Sequence, residues 1–323
     1  MRVMTDDASG TPTRSKYDRL IAAAQKVPAV PTLVVHPCDE SSLRGAVDAA
    51  EAGIIKPILV GPAAKVSDTA AKHSLNIASY EIVDAPHSEA AAAKAVEMIH
   101  AGKGEALMKG SLHTDELMRS VTAKVGGLRT ARRISHVFIM DVPAYADTLF
   151  VTDAAINIFP DLDGKRDIIQ NAVDLYNQAG FGTTPRVAIL SAVETVTSKI
   201  PSTIDAAALC KMADRGQITG AVLDGPLAFD NAIDLDAARI KGIKSEVAGR
   251  AQILVVPNLE SGNMLAKNLA YFAKADGAGI VLGARVPIVL TSRADSPRAR
   301  MASAAVAALY ANARRRSAPI AAA

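Results

Sequence analysis

From Pro287 to Pro297 the chain reads Pro-Ile-Val-Leu-Thr-Ser-Arg-Ala-Asp-Ser-Pro. An apolar strand ends here, a short polar segment follows, and Ser296-Pro297 supplies a helix N-cap with Pro at the first helical position. Open α/β sheets bind ligands in the loops beyond the carboxyl ends of their strands. Ser292, Arg293 and Asp295 are therefore placed to project into a cleft. The planar guanidinium of Arg293 suits two oxygens of a phosphate or phosphoryl group, and the Ser292 hydroxyl can donate to a developing oxyanion. The competing assignment makes Ser296 a cap, Asp295 a partner for the positive helix end and Arg293 a surface charge. Spacing alone leaves both open.

A second strand-to-helix junction runs from Pro257 through Asn258, Ser261, Gly262 and Asn263 to Lys267. Ser261 is the expected cap, Gly262 lets a ligand approach the backbone, and free N–H groups at the helix start can receive an anion. Asn263 and Lys267 are four residues apart and share one face. Met264, Leu265, Leu269 and Phe272 are the expected buried stripe of the same helix.

Other junctions carry weaker signals. Lys109-Gly110-Ser111-Leu112-His113-Thr114, with Arg119 one or two turns later, again links a strand to a helix. Asp224-Gly225-Pro226 ends a strand and needs no more than a sharp turn to explain it. Gly277, Gly279 and Gly283 precede a strand and lack the spacing of a dinucleotide fingerprint. Cys210, beside Leu209 and Met212, reads as packing. No P-loop, zinc spacing or nucleophile elbow occurs.

The elements that must hold these residues are α/β in rhythm. Apolar runs at 32–35, 57–60, 80–83 and 105–108 each precede a helical pattern, and continuous rather than alternating apolarity predicts strands covered on both faces. Consecutive strands at 134–140 and 148–152, without a helix between them, break the rhythm and predict antiparallel pairing. A domain change is expected near residues 138–145. Alternation then resumes: a helix from Lys165, strands at 186–190, 221–223, 253–256, 280–282 and 288–290, and a final Ala-rich helix. A chain of 323 residues suits two domains.

Composition narrows the function. Aromatics make up 4% with no Trp, and the net charge is only +3, so base-stacking or phosphate-backbone binding to nucleic acid is not expected. The two cysteines, Cys38 and Cys210, suit a reducing compartment. The polar start lacks a signal-peptide core and no apolar run is long enough for a membrane span, so the expectation is a cytoplasmic protein. The residues themselves reach an α/β enzyme whose strand-end loops bind an anionic ligand.

At these same loops the sequence resembles the phosphate acetyltransferase/phosphate butyryltransferase family, from about Tyr17 to Arg315. The most specific stretches are Val151 to Asn157, Lys199 to Asp205, Asp224 to Ala232, Asn258 to Lys267, and Gly283 to Pro287 leading into Thr291-Ser292-Arg293. The resemblance implies two α/β domains of the isocitrate/isopropylmalate dehydrogenase type with a cleft between them, usually in a homodimer. It implies domain I over 1–140 with a C-terminal return at about 288–323, and domain II over 141–287. The implied reaction is acyl-CoA plus phosphate giving acyl phosphate plus CoA, by direct transfer in a ternary complex without metal or redox cofactor. Arg293 then matches the arginine that binds the phosphoryl group, and Ser292 the serine that stabilises the tetrahedral transition state. Asn263, Lys267, His113, Thr114, Arg119, Asp224, Gly225 and Pro226 are the expected substrate and CoA contacts.

One departure affects the proton transfer. Many members carry, seven residues after that serine, an aspartate assigned as the base for the CoA thiol; Ala299 stands there in this chain. Asp295 resembles the butyryltransferase version of the loop and becomes the candidate base. The stretch from His36-Pro37-Cys38-Asp39 to Gly61-Pro62 resembles the acetyltransferases instead and favours acetyl as the transferred group, with butyryl as the alternative. A different class, an NAD-dependent decarboxylating dehydrogenase of related architecture, would need clustered carboxylates for a divalent metal, and the sequence offers no convincing cluster.

Overall fold

Uninterrupted aliphatic runs such as Thr-Leu-Val-Val and Arg-Val-Ala-Ile-Leu can be buried only as strands with apolar layers on both faces, and the chain builds its fold around them. In the computed structural model, which describes residues 15–291 and 295–316, the first part comprises α1 (Lys16–Ala24), β1 (Val30–Val35), α2 (Glu40–Glu51), β2 (Ile55–Gly61), α3 (Ala63–Lys72), β3 (Glu81–Asp84), α4 (Ser88–His100), β4 (Ala106–Lys109), α5 (Thr114–Thr122), β5 (Ser135–Asp141) and β6 (Leu149–Thr152). There follow α6 (Leu162–Gln178), β7 (Arg186–Leu190), α7 (Pro201–Asp214), β8 (Val222–Leu227), α8 (Phe229–Ile233), α9 (Leu235–Ile240), β9 (Ile253–Val255), α10 (Leu259–Tyr271), β10 (Asp276–Leu282), β11 (Ile288–Val289) and α11 (Pro297–Arg314).

Among the described residues the strands form one mixed sheet in the order β3-β2-β1-β4-β11-β10-β5-β6-β9-β7-β8. The strands from β3 to β11 are mutually parallel. Three antiparallel pairings follow, β11 with β10, β10 with β5, and β5 with β6. The strands from β6 to β8 are again parallel to one another. Three reversals leave the two parallel sets pointing in opposite directions, with their carboxyl ends at opposite edges of the sheet. The antiparallel β5–β6 pair is as the sequence predicts. The expected change of domain near 138–145 falls at the end of β5, in the middle of a hydrogen-bonded sheet.

The two faces are covered differently. One carries a continuous apolar layer contributed by α1, α2, α3, α6, α7 and α11, into which Val137, Ile139, Ala278 and Ile280 point. On the other face the apolar residues separate into two clusters, one under α4 and α5 and one under α8, α9 and α10. Between them run β5 and β10. Strand alternation puts His136, Phe138, Gly277 and Gly279 on this face, and the two glycines leave a groove where side chains would otherwise fill the gap.

Several local expectations need correction. Helix α10 begins at Leu259, because Asn258 rather than Ser261 is its cap; Ser261 sits at the third helical position and completes a capping box. Met264 and Phe272, expected in the buried stripe, are exposed, while Gly262, Ala266 and Leu269 face inward. Helix α10 ends at Tyr271, and β10 starts at Asp276. Helix α1, absent from the sequence reading, is capped by Ser15 and Asp18. Its buried Tyr17 donates to the backbone oxygen of Ile139 at 2.6 Å and that of Asp276 at 2.9 Å, tying together the two strands under the groove.

Candidate active site

Two cavities open along the groove. The first, about 370 Å³, is bounded on one side by Asn263, Ala266, Lys267, Ala270 and Tyr271. Their spacing of three, one, three and one is a single stripe along α10. This stripe, and not the helix N-terminus, forms the wall, because β9 ends at the opposite sheet edge from β11 and α10 runs back across the face. Gly262 likewise serves the protein's own packing: a Cβ there would lie 2.6 Å from a Val256 methyl and 2.8 Å from the Ala154 Cβ. The Asn263 side chain donates to the Ala154 carbonyl at 3.3 Å. Asp276, Asp295, Ser296 and Ala299 complete the far wall.

The second cavity, about 320 Å³, is lined by Lys109, His113, Thr114, His136, Thr291 and Asp295, among others. Lys109, at the carboxyl end of β4, is buried and donates to the Gly110 carbonyl at 3.3 Å. His136 is fully buried, its Nδ1 has no hydrogen-bond partner among the described residues, and burial pushes its imidazole down to about 3. It is therefore neutral at physiological pH. Its Nε2 lies 2.9 Å from where a Gly279 Cβ would stand, so the glycine makes room for the ring. His136, Phe138, Gly277 and Gly279 escaped the sequence reading as site residues; Gly277 and Gly279 drew attention only as a failed dinucleotide motif.

Phe138, Gly277 and Asp295 line both cavities. Asp295 precedes α11, which Ser296 caps by accepting from Ala299 N at 3.1 Å, so the expected capping role of Ser296 holds. Arg300, also buried, reaches from α11 to the Asp295 carbonyl. Ser292 and Arg293 lie outside the described residues, but Thr291 and Asp295 on either side of them both border the second cavity.

The structure thus brings Asn263, Lys267, His113, Thr114 and Asp295 around two adjoining spaces. It does not bring Arg119 to either lining; that side chain is exposed and pairs with Glu89 at 3.2 Å. Nor do Asp224, Gly225 and Pro226 reach them, since β8 is the outermost strand at the far end of the sheet.

The match to known proteins falls on this architecture. The model of the phosphate acetyl/butaryl transferase family matches residues 88–308, more than half of the chain. The chain belongs to this family. A phosphate acetyltransferase from Rhizobium meliloti is 72% identical over 309 residues, covering 95% of this chain and 97% of that protein. A phosphate butyryltransferase from Clostridium beijerinckii is 42% identical over 295 residues, covering 91% and 97% respectively. The crystal structure of a branched-chain phosphotransacylase from Enterococcus faecalis aligns with a TM-score of 0.75 at 27% identity, covering 87% of this chain and 98% of that one.

The stretches that carry the family resemblance divide by role. In Val151 to Asn157, the buried Asp153 carboxylate accepts from the backbone N–H groups of Ala155, Ile156 and Asn157 at 2.9 to 3.2 Å. Burial pushes its carboxyl up, against the lowering by those bonds. The loop so folded places Ala155 in the second cavity. Lys199 to Asp205 instead starts α7, and its Asp205 pairs with the buried Lys165 at 2.7 Å. Ala299, where many members carry an aspartate, lines the first cavity close to Asp295 and Asp276, so the missing carboxylate has neighbours of its own kind. Asp276 is engaged by Arg298 at 3.5 Å.

Proposed function

We propose that the protein is a phosphate acetyltransferase, interconverting acetyl-CoA and phosphate with acetyl phosphate and CoA by direct transfer. The observation that carries this reading is the pair of adjoining cavities meeting at Asp295, in a chain so similar over its whole length to a phosphate acetyltransferase. Two anionic reactants have to face one carbonyl carbon, and holding both in place supplies much of the acceleration. The first cavity, walled by the Ala266 and Ala270 stripe of α10 with Asn263 and Lys267 beside it, suits the pantetheine arm. The second, with the Lys109 ammonium, suits phosphate.

In this mechanism a phosphate oxygen attacks the thioester carbonyl, the tetrahedral intermediate collapses, and the thiolate leaves and takes up a proton. Asp295 serves the proton transfer: it takes the proton that the attacking hydrogen phosphate gives up and passes it to the thiolate, and in the reverse direction it removes the proton from the thiol. By resemblance Ser292 donates to the oxyanion and Arg293 binds the phosphoryl group. The reading assigns CoA and phosphate as substrates and no metal or redox cofactor. It also holds the two oppositely directed strand sets to be two α/β domains of the isocitrate/isopropylmalate dehydrogenase type, 1–140 with 288–323 and 141–287, enclosing the groove. A cytoplasmic homodimer belongs to the same reading; exposed Met264 and Phe272 offer apolar surface to a second copy.

The deciding assay is release of free thiol from acetyl-, propionyl- and butyryl-CoA with and without phosphate. Phosphate-dependent release that is fastest with acetyl-CoA is expected. Release without phosphate dependence on any of the three would sink the assignment.

A further inference from the structure

We infer that Phe138 sets the length of the acyl chain that the site accepts, an inference that rests on the acyl-transfer reading above. Among the described residues three line both cavities, Phe138, Gly277 and Asp295, and these mark where the two spaces adjoin. A carbonyl carbon that must face a thiol from one cavity and a phosphate from the other lies there. Of these three described residues, Gly277 has no side chain and Asp295 is charged. The acyl tail, which is apolar, therefore rests against the Phe138 ring.

The ring cannot readily yield. It stands edge-to-face on the His136 imidazole, with centroids 4.3 Å apart and planes at 66°. His136 is itself fully buried, with its Nε2 against Gly279 and no room behind it for a larger residue. On its other side Phe138 packs against the cluster that includes Met140. On this inference the two further methylenes of a butyryl group press on the ring where an acetyl methyl does not.

The test compares kcat/KM for acetyl-CoA and butyryl-CoA, at saturating phosphate, in the full-length wild type, Phe138→Ala and Phe138→Leu. One methylene in an apolar pocket discriminates by about 10-fold or more. The butyryl-to-acetyl ratio is expected to rise at least ~10-fold in Phe138→Ala and by less in Phe138→Leu. Circular dichroism and melting temperature identify a variant that has not folded, and Phe138→Leu then carries the comparison. Unchanged ratios in folded variants overturn the inference, as does a wild type that already uses butyryl-CoA as well as acetyl-CoA. A wild type with no phosphate-dependent thiol release on any substrate removes the underlying reading instead, so the two failures are distinct.

Discussion

The guanidinium of Arg300 is fastened to the backbone of Asp295, its Nε donating to the Asp295 carbonyl oxygen at 3.3 Å, while its Nη1 lies 3.5 Å from the Thr291 hydroxyl. One buried side chain on the second turn of α11 thus touches both ends of the segment that carries Ser292 and Arg293. Replacement by Lys keeps the charge and loses the two-pronged geometry. For Arg300→Lys, kcat should fall by about 10- to 100-fold, the scale of a small misplacement of reacting groups. KM for acyl-CoA, which the proposed function sets along α10, should move far less. Steady-state kinetics in both substrates separate the two, and an unaltered kcat would free the loop from dependence on Arg300.

Asp295→Asn is nearly isosteric and removes the capacity to exchange a proton together with the negative charge. With Asp295 as the proton-transfer group, kcat should drop by roughly 10² to 10⁴-fold at little cost in KM. In the direction that consumes CoA thiol, the wild-type rate should fall as pH falls and the carboxylate becomes protonated. That acid limb should vanish in the variant. Normal turnover of the variant across pH would take Asp295 out of the mechanism and direct attention to Asp276, the other carboxylate on the first cavity.

His136 makes stability depend on pH. Its folded-state value of about 3, against 6.5 for an ordinary imidazole, means that the unfolded chain takes up the proton more readily. Its contribution is therefore intact above about pH 6.5 and is lost as pH falls towards 3, amounting to about 2 kcal/mol at pH 5. Urea unfolding of wild type and His136→Gln at pH 7 and pH 5 measures this. The wild type should lose about 2 kcal/mol more than the variant over that interval, and equal losses would show that the imidazole is not held neutral by burial.

Gly262→Ala improves intrinsic helix propensity by about 1 kcal/mol, yet the added methyl meets Val256 and Ala154 at 2.6 and 2.8 Å. Overpacking of this kind costs about 1–3 kcal/mol and should win. The urea midpoint is expected to fall, and KM for acyl-CoA to rise as the helix bearing Asn263 and Lys267 is pushed off the sheet. A midpoint that rises would mean that the contact relaxes without cost.

Much of the architecture was legible because its signals are local. Continuous aliphatic runs marked β1, β2, β4 and β7, the missing helix between β5 and β6 marked the antiparallel break, and Ser296-Pro297 marked the start of α11. Local signals also explain the errors: Asn258 and Ser261 are both good caps three residues apart, and the apolar stripe of α10 contained residues that lie on the outside. The family followed from residue identities spread along the whole chain. His136 and Phe138, by contrast, were unremarkable members of an apolar strand.

The sequence by itself determined the alternation of strands and helices, the polar segment from Ser292 to Asp295, and membership of a family of phosphate acyltransferases. Only the tertiary structure decided that β10, with its two glycines, lies beside β5, and that α10 doubles back to set Lys267 and Asp295 on the walls of one cavity. The pairing of β5 with β10 joins segments more than a hundred residues apart, and local periodicity carries no record of it. For that reason the feature that singled out Ser292, Arg293 and Asp295 came from the chain, while the passage in which they would act came from the fold.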